Sequence, residues 1–426
     1  MTRFLIKDAK QNINKDVLVM GRAMNVRQLS DVTFLQVQDY TGTIQSVWEK
    51  EIEAKVGDIV EIKGQVRADE RAKGGCEVLG EELKIINTSV EELPFDLAKK
   101  ELSLQLPTLL DWRALSLRHP KVQAIFRLYD ILLASYSAAL RSEGFVGIKT
   151  PKILEAASEG GANFFKIKYF DKNAYLAQSP QLYKQIMVGV FERVFEIGST
   201  FRAEPHFTTR HVNEYISLDA EMGFIDSFYD VMAMLNKVLV KMVEQINDKG
   251  QEYLRPYNAE LAVPVAIPVV KLAELKEIIK KKYQYEVPET TDLDPEGERL
   301  AGRWAKEEHN SDWLFVTHYP MKFRPFYTLP DKDNKDEAAG FDLLFKGVEL
   351  VTGGQRIHLY KDLVAAMKAK KVKPDGLEFY LDVFKFALSP HGGWRMGSER
   401  FIQQILGLGS VKEAVLFPRD VKRLKP

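Results

Sequence analysis

The chain has 426 residues, of which 45% are hydrophobic and 28% are charged, so two or three domains with substantial apolar cores are expected. Its 60 Lys and Arg residues balance its 60 Asp and Glu residues, which excludes a globally basic protein and leaves only local patches for RNA. The single cysteine, Cys76, excludes an internal disulfide framework and favours a cytoplasmic location. No apolar run is long enough to span a bilayer.

The first 90 residues are predicted to form short strands with tight turns. The five predicted strands cover residues 17–20, 33–37, 44–48, 59–62 and 83–86. So many short strands in so short a segment favour a small β-barrel of the OB type, a common nucleic-acid binder. A β-barrel without nucleic-acid function is the alternative.

The rest of the chain has a mixed pattern. Residues 91–110 are rich in Pro and Leu and are predicted to be a linker. Residues 111–426 combine long amphipathic helices, for example over residues 121–143, with strands. The predicted fold class is therefore α+β, with a barrel in front of a larger domain.

A charged segment at residues 201–211 contains two arginines, one glutamate and two histidines. It lies between strand-like runs at residues 194–198 and 216–222, which predicts a strand–loop–strand unit. Planar guanidinium groups suit phosphates and carboxylates. A solvated loop with surface ion pairs is the alternative interpretation.

A glycine-rich segment lies near the C-terminus, at residues 391–400. The glycines permit tight backbone approach, and the segment is predicted to form a turn that opens a helix, with Arg400 in the first turns. A helix that begins on glycines offers free N–H groups to an anion. This pattern alone is weak evidence for a site.

Together, the two segments resemble motifs 2 and 3 of the class II aminoacyl-tRNA synthetases. Motif 2 matches Phe-Arg-x-Glu at residues 201–204, and motif 3 matches Gly-x-Glu-Arg at residues 397–400. Further segments are similar to the aspartyl-tRNA synthetase branch, in its compact archaeal and eukaryotic form: 158–162, 178–185, 341–344, 349–358 and 416–424. The resemblance covers essentially the whole chain. It implies an OB-fold anticodon-binding domain over residues 1–90 and an antiparallel-sheet catalytic domain over residues 111–426.

The resemblance implies ATP-dependent attachment of L-aspartate to tRNA through aspartyl-adenylate, with Mg²⁺. The residues expected to be catalytic are Arg202, Glu349 and Arg400. Those expected to bind ATP are Arg202, Glu204, Arg210, His211, Val212, Tyr215, Glu349, Gly397 and Arg400. Those expected to bind aspartate are Glu159, Gln181, Lys184, Arg202, Asp219, Thr352 and Arg356. The expected metal ligands are Glu349 and Thr352. An ordinary ion pair is the alternative for each charged residue.

The resemblance also implies RNA and protein partners. The residues expected to read the anticodon are Arg27, Phe34, Gln45 and Glu77, although Phe34 also suits a strand core. Pro151 is expected at the interface of a two-fold homodimer. Lys73 fits enzymes that charge aspartate tRNA only, whereas Met24 fits neither type. On balance the pattern favours charging of both aspartate and asparagine tRNA.

The sequence departs from the family pattern at several positions. The family usually has Trp-Val where this chain has Arg22-Ala23, and an arginine where it has Gln38. Thr352 replaces a serine, and Arg395 replaces a glycine of motif 3. Arg395 either adds a cation near ATP or blocks close approach. Three alternative functions stay open: an asparaginyl-tRNA synthetase, an asparagine synthetase-like paralogue, and a non-charging RNA-binding regulator. The intact barrel and the presence of Arg202 and Arg400 argue against the last two.

Overall fold

The computed structural model describes residues 2–425 except 73, 157–162, 206 and 291. The chain forms two compact units, Met1–Gln105 and Leu106–Pro426. Among the described residues, no helix is both long enough and apolar enough to cross a membrane.

The first unit is a closed β-barrel. Its strands are β1 (Arg3–Phe4), β2 (Asp16–Leu29), β3 (Val32–Gln38), β4 (Thr43–Trp48), β5 (Ile59–Ala68) and β6 (Cys76–Asn87). They are ordered β1-β2-β3-β4-β6-β5, and β5 pairs back onto β2, so the five long strands leave no open edge. The prediction of a five-stranded OB-type barrel is confirmed. The strands extend beyond their predicted limits, and the short β1 was not predicted.

Side chains along the barrel strands alternate between the interior and the outside, and the interior ones form the barrel core. In β3, Leu35 and Val37 are fully buried, whereas Phe34, which alternates with them along the strand, is only half-buried. Trp48 fills the interior because Gly80 has no side chain, and a Cβ at Gly80 would lie 2.4 Å from the Trp48 ring. Phe34 therefore belongs to the outer face of the barrel and not to its core.

The second unit contains eleven helices and eleven strands within the described ranges. The helices are α1 (Leu106–Asp111), α2 (Arg113–Ser116), α3 (Pro120–Ser142), α4 (Gln181–Phe191), α5 (Phe228–Lys249), α6 (Gln251–Leu254), α7 (Leu272–Tyr283), α8 (Pro295–His309), α9 (Tyr360–Ala369), α10 (Glu378–Lys385) and α11 (Ser398–Leu406). The strands are β7 (Val146–Gly147), β8 (Ile153–Leu154), β9 (Lys166–Tyr169), β10 (Lys172–Leu176), β11 (Arg193–Phe201), β12 (Glu214–Gly223), β13 (Val269–Lys271), β14 (Trp313–Thr317), β15 (Gly340–Phe345), β16 (Val348–Gln355) and β17 (His391–Gly397).

Eight of these strands form one sheet, in the order β13-β14-β15-β16-β17-β12-β11-β7. The six central strands are antiparallel, whereas β13 and β7 pair in parallel at the two edges. Strands β8, β10 and β9 form a separate small sheet. The predicted antiparallel-sheet domain is confirmed.

One face of the large sheet carries the hydrophobic core. Leu218, Phe341, Val351 and Trp394 point to this face and pack against helices α3, α5 and α11. Successive strand residues point to opposite faces, so apolar residues at every second position produce this layer. Each fully buried Leu or Phe side chain stabilises the fold by roughly 1.5–3 kcal/mol.

The opposite face is only partly covered. Helices α7 and α8 pack over β13, β14 and β15 through a second apolar cluster that includes Leu275, Leu300 and Val316. The part of this face formed by β11, β12, β17 and β16 carries polar side chains, and the candidate site lies there.

The glycine-rich segment at residues 391–400 was predicted to form a turn before a helix, and this was wrong for residues 391–397, which form the central strand β17. A Cβ at Gly393 would lie 2.1 Å from the Ala220 carbonyl oxygen and 2.3 Å from Glu221 Oε2. The glycine is therefore required for close approach of a neighbouring strand and a buried carboxylate, not for a turn. Helix α11 begins directly afterwards, at Ser398.

Candidate active site

A row of polar residues crosses the partly open face of the sheet. Asp219 on β12 lies opposite Arg395 on β17, Arg395 lies opposite Thr352 on β16, and Thr352 lies opposite Asp342 on β15. Residues directly opposite one another in an antiparallel sheet point to the same face. Two residues expected to bind aspartate thus flank Arg395.

A β-bulge places Glu349 on the same face. Leu343 pairs with Val351, but Leu344 pairs with Glu349, so Leu350 is an extra residue in β16. The bulge shifts the alternation by one residue, and Glu349 and Thr352 share a face although they are three positions apart.

The row borders a solvent-open cavity with about 650 Å³ of empty space. The cavity is lined by Arg202, Glu204, Arg210, His211, Val212, Tyr215, Glu349, Leu350, Thr352, Arg395, Gly397, Glu399, Arg400 and Val411. Every residue predicted to bind ATP is in this set. The loop after β11, the start of β12 and the β17–α11 junction bring them together.

Two arginines of the cavity wall are paired with carboxylates. Arg202 Nη1 lies 3.6 Å from Glu204 Oε1, and Glu204 Oε2 lies 3.2 Å from His211 Nε2. Arg210 Nη1 lies 3.1 Å from Glu298 Oε2, which also accepts a hydrogen bond from the backbone N–H of Glu349. Glu298 on α8 therefore ties the charged loop to the sheet.

The other two arginines have neutral partners. Arg400 Nη1 donates to the backbone carbonyl of Glu349 at 2.8 Å. Arg395 donates to hydroxyl and carbonyl oxygens, among them those of Ser217 and Gln178. No carboxylate oxygen of the described residues lies within 4.0 Å of either guanidinium group.

Glu349 is surrounded by other charges. Burial, together with the nearby Asp342 carboxylate, raises the pKa of Glu349 to about 7, while Arg400 opposes this shift. Asp342 is held by a guanidinium fork from Arg324, at 2.8 and 3.1 Å, and Arg324 also donates to Thr352 Oγ1 at 3.0 Å. Within the described ranges, no three His, Cys, Asp or Glu side chains converge as metal ligands.

A buried ion cluster lies beside the cavity. Lys184 Nζ lies 3.1 Å from Asp219 Oδ1 and 3.2 Å from Glu221 Oε2, and Arg356 Nε lies 2.9 Å from Glu221 Oε1. Burial alone would raise the pKa of the Glu221 carboxyl, but Arg356 and Lys184 lower it below its ordinary value. Glu221 therefore stays ionised and holds both cations in place.

The residues predicted to bind aspartate divide into three groups. Arg202 and Thr352 line the cavity. Glu159 lies outside the described residues. Four others are buried and engage neighbouring protein groups instead of lining the described cavity wall: Gln181, Lys184, Asp219 and Arg356. In a chain without substrate, buried polar groups must satisfy one another.

Sequence reasoning did not identify Glu221, Glu298 or Arg324 as parts of this site. Charged residues occupy alternate positions along β12, and this pattern could have identified Glu221, which follows Asp219 by two residues and shares its face. Glu298 and Arg324 had no such signal, because tertiary packing of α8 and of the segment before β15 brings them here.

The residues predicted to read an anticodon lie together on the outside of the barrel. The Arg27 guanidinium carbon is 5.0 Å from the centre of the Phe34 ring. Both residues, with Gln45, line a surface cavity with about 670 Å³ of empty space. Glu77 is buried, accepts a hydrogen bond from Gln45 Nε2 at 2.9 Å and pairs with Arg67. The Glu77 carboxylate thus orients Gln45.

The remaining predicted positions are less informative. Met24 is the extra residue of a bulge between Ala23 and Asn25, and it is buried. Lys73 lies outside the described residues. Pro151 is exposed on the single chain, just before β8.

Glu399 provides a test of the electrostatics of this site. Its carboxylate accepts hydrogen bonds from Ile216 N and Tyr129 OH, and burial raises its pKa from 4.5 to about 7. Because the native state keeps a proton that the unfolded chain has lost, Glu399 reduces stability increasingly as pH rises from about 4.5 to 7. Glu399→Gln should therefore gain stability relative to the parent between pH 5 and pH 8, by about 1–3 kcal/mol.

Urea unfolding at both pH values measures this change. The difference in free energy of unfolding between the two proteins removes the contribution of the other titrating groups, because both proteins contain them. Glu296→Gln, at an exposed pair on α8, is the control and should show little change. Equal pH dependence of the parent and Glu399→Gln would contradict the raised pKa.

Comparison with known proteins agrees with the geometry. Residues 105–421 match the family model described as tRNA synthetases class II (D, K and N), and residues 17–93 match an OB-fold nucleic acid binding domain. An aspartate–tRNA(Asp/Asn) ligase of Deinococcus radiodurans is 42% identical over 100% of this chain and 99% of its own length. An aspartate–tRNA(Asp) ligase of Pyrococcus abyssi is 37% identical, over 97% and 96% respectively.

Solved structures show the same architecture. Asparaginyl-tRNA synthetase from Pyrococcus horikoshii, complexed with asparaginyl-adenylate, superposes with a TM-score of 0.93 at 28% identity, over the full length of both chains. Aspartyl-tRNA synthetase from Entamoeba histolytica gives a TM-score of 0.89 at 27% identity, over 100% of this chain and 93% of its own. The chain belongs to the class II tRNA synthetases of the D, K and N family.

Proposed function

We propose that this protein attaches L-aspartate to tRNA in two steps, through aspartyl-adenylate formed from ATP. One observation carries the proposal. Arg202 and Arg400 line the cavity over the polar face of the sheet, and the buried cations Lys184 and Arg356 pair with Asp219 and Glu221 of that same face. Phosphates suit the first pair, and the side-chain carboxylate of aspartate suits the second.

The cavity arginines bind and orient ATP. Arg202 binds the α-phosphate together with the α-carboxylate of the amino acid, and Arg210 and His211 bind the outer phosphates. Arg400 covers the adenine and reaches the terminal phosphate, and Tyr215 stacks on the other adenine face. When ATP binds, its outer phosphates replace the Glu298 carboxylate as the partner of Arg210, because a phosphate carries more negative charge than one carboxylate.

Aspartate enters by exchanging ion pairs. Its side-chain carboxylate takes the place of Asp219 at Lys184 and binds Arg356 beside Glu221, and its ammonium group binds the released Asp219, supported by Glu159 and Gln181. Each buried charge therefore keeps a partner of opposite sign throughout binding. The side-chain amide of asparagine is neutral, so it cannot replace a protein carboxylate in this exchange. The site therefore selects aspartate over asparagine.

The residues of the cavity also fit Mg²⁺. Magnesium is usually held by one or two carboxylates together with substrate phosphates and water. Glu349 and the Thr352 hydroxyl would hold it, while Asp342 is occupied by the Arg324 fork. The ion supplies positive charge to phosphate oxygens when it is bound.

The chemistry needs charge stabilisation and positioning rather than a protein nucleophile. An oxygen of the aspartate α-carboxylate attacks the α-phosphorus and pyrophosphate leaves. A ribose hydroxyl of tRNA then attacks the acyl carbon and AMP leaves. Arg202 stabilises the negative charge that grows on the α-phosphate oxygens in the first step.

The barrel selects the tRNA. Phe34 stacks on an unpaired anticodon base, Gln45 is oriented by Glu77 to bind another base, and Arg27 contacts the backbone. The protein acts as a cytoplasmic homodimer with Pro151 at the two-fold interface, as the resemblance implies.

Pyrophosphate exchange and tRNA charging test this proposal. The protein should support aspartate-dependent exchange and then aspartylate tRNA in the presence of Mg²⁺. Arg202→Ala should abolish exchange, because its charge is needed most in the transition state. Exchange that depends on asparagine and not on aspartate would establish the asparaginyl alternative. No exchange with either amino acid would support a non-charging paralogue.

Selectivity depends on Lys184. Lys184→Met should lower the preference for aspartate over asparagine, measured as the ratio of kcat/KM values, by roughly ten- to a few hundredfold, the effect of one charge-assisted bond. The variant also leaves buried carboxylates unpaired, so Lys412→Met, which breaks the buried pair with Asp420, is the matched control. The control should lose stability but keep the ratio. An unchanged ratio in Lys184→Met would exclude Lys184 from the amino-acid site.

The last finer point is the choice of tRNA. Buried Met24 offers no fixed hydrogen bond to an anticodon base, so we expect charging of both aspartate and asparagine tRNA. Charging the two purified tRNAs side by side measures the preference. A preference for aspartate tRNA above roughly a thousandfold exceeds what one base contact of about 1–3 kcal/mol usually supplies and would contradict the relaxed specificity.

A further inference from the structure

Arg395 lies where the two substrate subsites meet. Along the row it lies between Asp219 and Thr352, which belong to the proposed aspartate site. Its side chain extends along β12 to Tyr215, which lines the nucleotide cavity together with Arg395 itself. The amino-acid α-carboxylate and the ATP α-phosphate must meet at this junction.

The guanidinium group is held rigidly by neutral acceptors. Nε donates to Ser217 Oγ at 3.1 Å, and Nη2 shares its two N–H groups among the Gln178 carbonyl at 2.8 Å, Thr200 Oγ1 at 3.3 Å and the Tyr215 hydroxyl. The guanidinium carbon is 5.3 Å from the centre of the Tyr215 ring. Among the described residues, Nη1 has no acceptor, so its two N–H groups are left for a ligand.

Arg395 also has no direct carboxylate partner among the described residues. No described carboxylate lies within 4.0 Å of it, although the residue is only half-exposed. Within the cavity wall, Arg202 and Arg210 have carboxylate partners, and Arg400 is the other arginine without one. A partly buried cation held by four neutral acceptors is a preorganised site for an anion.

We infer that Arg395 is a substrate-contacting residue that binds the anionic oxygens at the acyl–phosphate junction, next to Arg202. The inference rests on the proposed function and deepens it. The four bonds tie the side chain to β11, β12 and the segment before α4, so it forms the wall of the junction. A residue that blocked the cavity would have to project across it.

Two pairs of ligands show whether Arg395 contacts the α-phosphate, the α-carboxylate or both. AMP and adenosine differ only in the α-phosphate, and aspartate and its α-alcohol, 3-amino-4-hydroxybutanoate, differ in the α-carboxylate. Isothermal titration calorimetry of the parent and of Arg395→Met gives the affinity ratio within each pair. We expect the variant to weaken AMP, aspartate or both by roughly ten- to a hundredfold, with adenosine and the alcohol unchanged, since one charge-assisted bond is lost.

Further variants control for folding and charge. Arg395→Lys keeps the charge but not the fork and should show an intermediate loss. Arg303→Met, at an exposed pair on α8, should leave all four affinities unchanged. Thermal melting of each variant shows whether it is folded. If Arg395 only supports Tyr215, AMP and adenosine should weaken equally, and that result would overturn the inference.

Two other outcomes would also overturn the inference: unchanged ratios in both ligand pairs, or tighter AMP binding by Arg395→Met, which would identify a blocking residue. The binding measurements need no turnover. Failure of the parent to support aspartate-dependent exchange would instead refute the proposed function, while a selective loss of AMP affinity would still support the contact.

Discussion

The period of two in an antiparallel sheet is the constraint on which this site depends. In β12 and β17, Leu218, Ala220, Trp394 and Met396 pack against the helices, and the residues between them carry the charges of the other face. The hydrophobic core thereby fixes the direction of each polar side chain that the sheet contributes to the site. The bulge at Leu350 departs from this period, and its effect is to add Glu349 to the same face.

In the candidate site, protein carboxylates pair with most of the cationic side chains. Glu221 lies between Lys184 and Arg356, and Glu298 holds Arg210. Leaving such cations buried and unpaired would be strongly destabilising, whereas internal pairs can be exchanged for substrate anions at little net change in charge.

Sequence reasoning predicted the family, the α+β fold and the ligase function, all of which are confirmed. The domain limits and the roles of individual residues stay predictions. The turn predicted for residues 391–397 was wrong because glycines required for close strand packing have the same local signature as glycines of a turn. Glu298 and Arg324 were not predicted, because only tertiary packing brings them to Arg210 and Asp342.

Fold similarity alone does not decide between aspartate and asparagine. An asparaginyl-tRNA synthetase superposes on this chain with a TM-score of 0.93, yet the more similar sequences are named aspartate–tRNA ligases. We therefore expect local charge to discriminate between the two amino acids. Lys184 and Arg356 both contact Glu221, so the positive charges that would meet the substrate side chain are fixed by one buried carboxylate. Because the Glu221 pKa is held low, this arrangement persists across the physiological pH range.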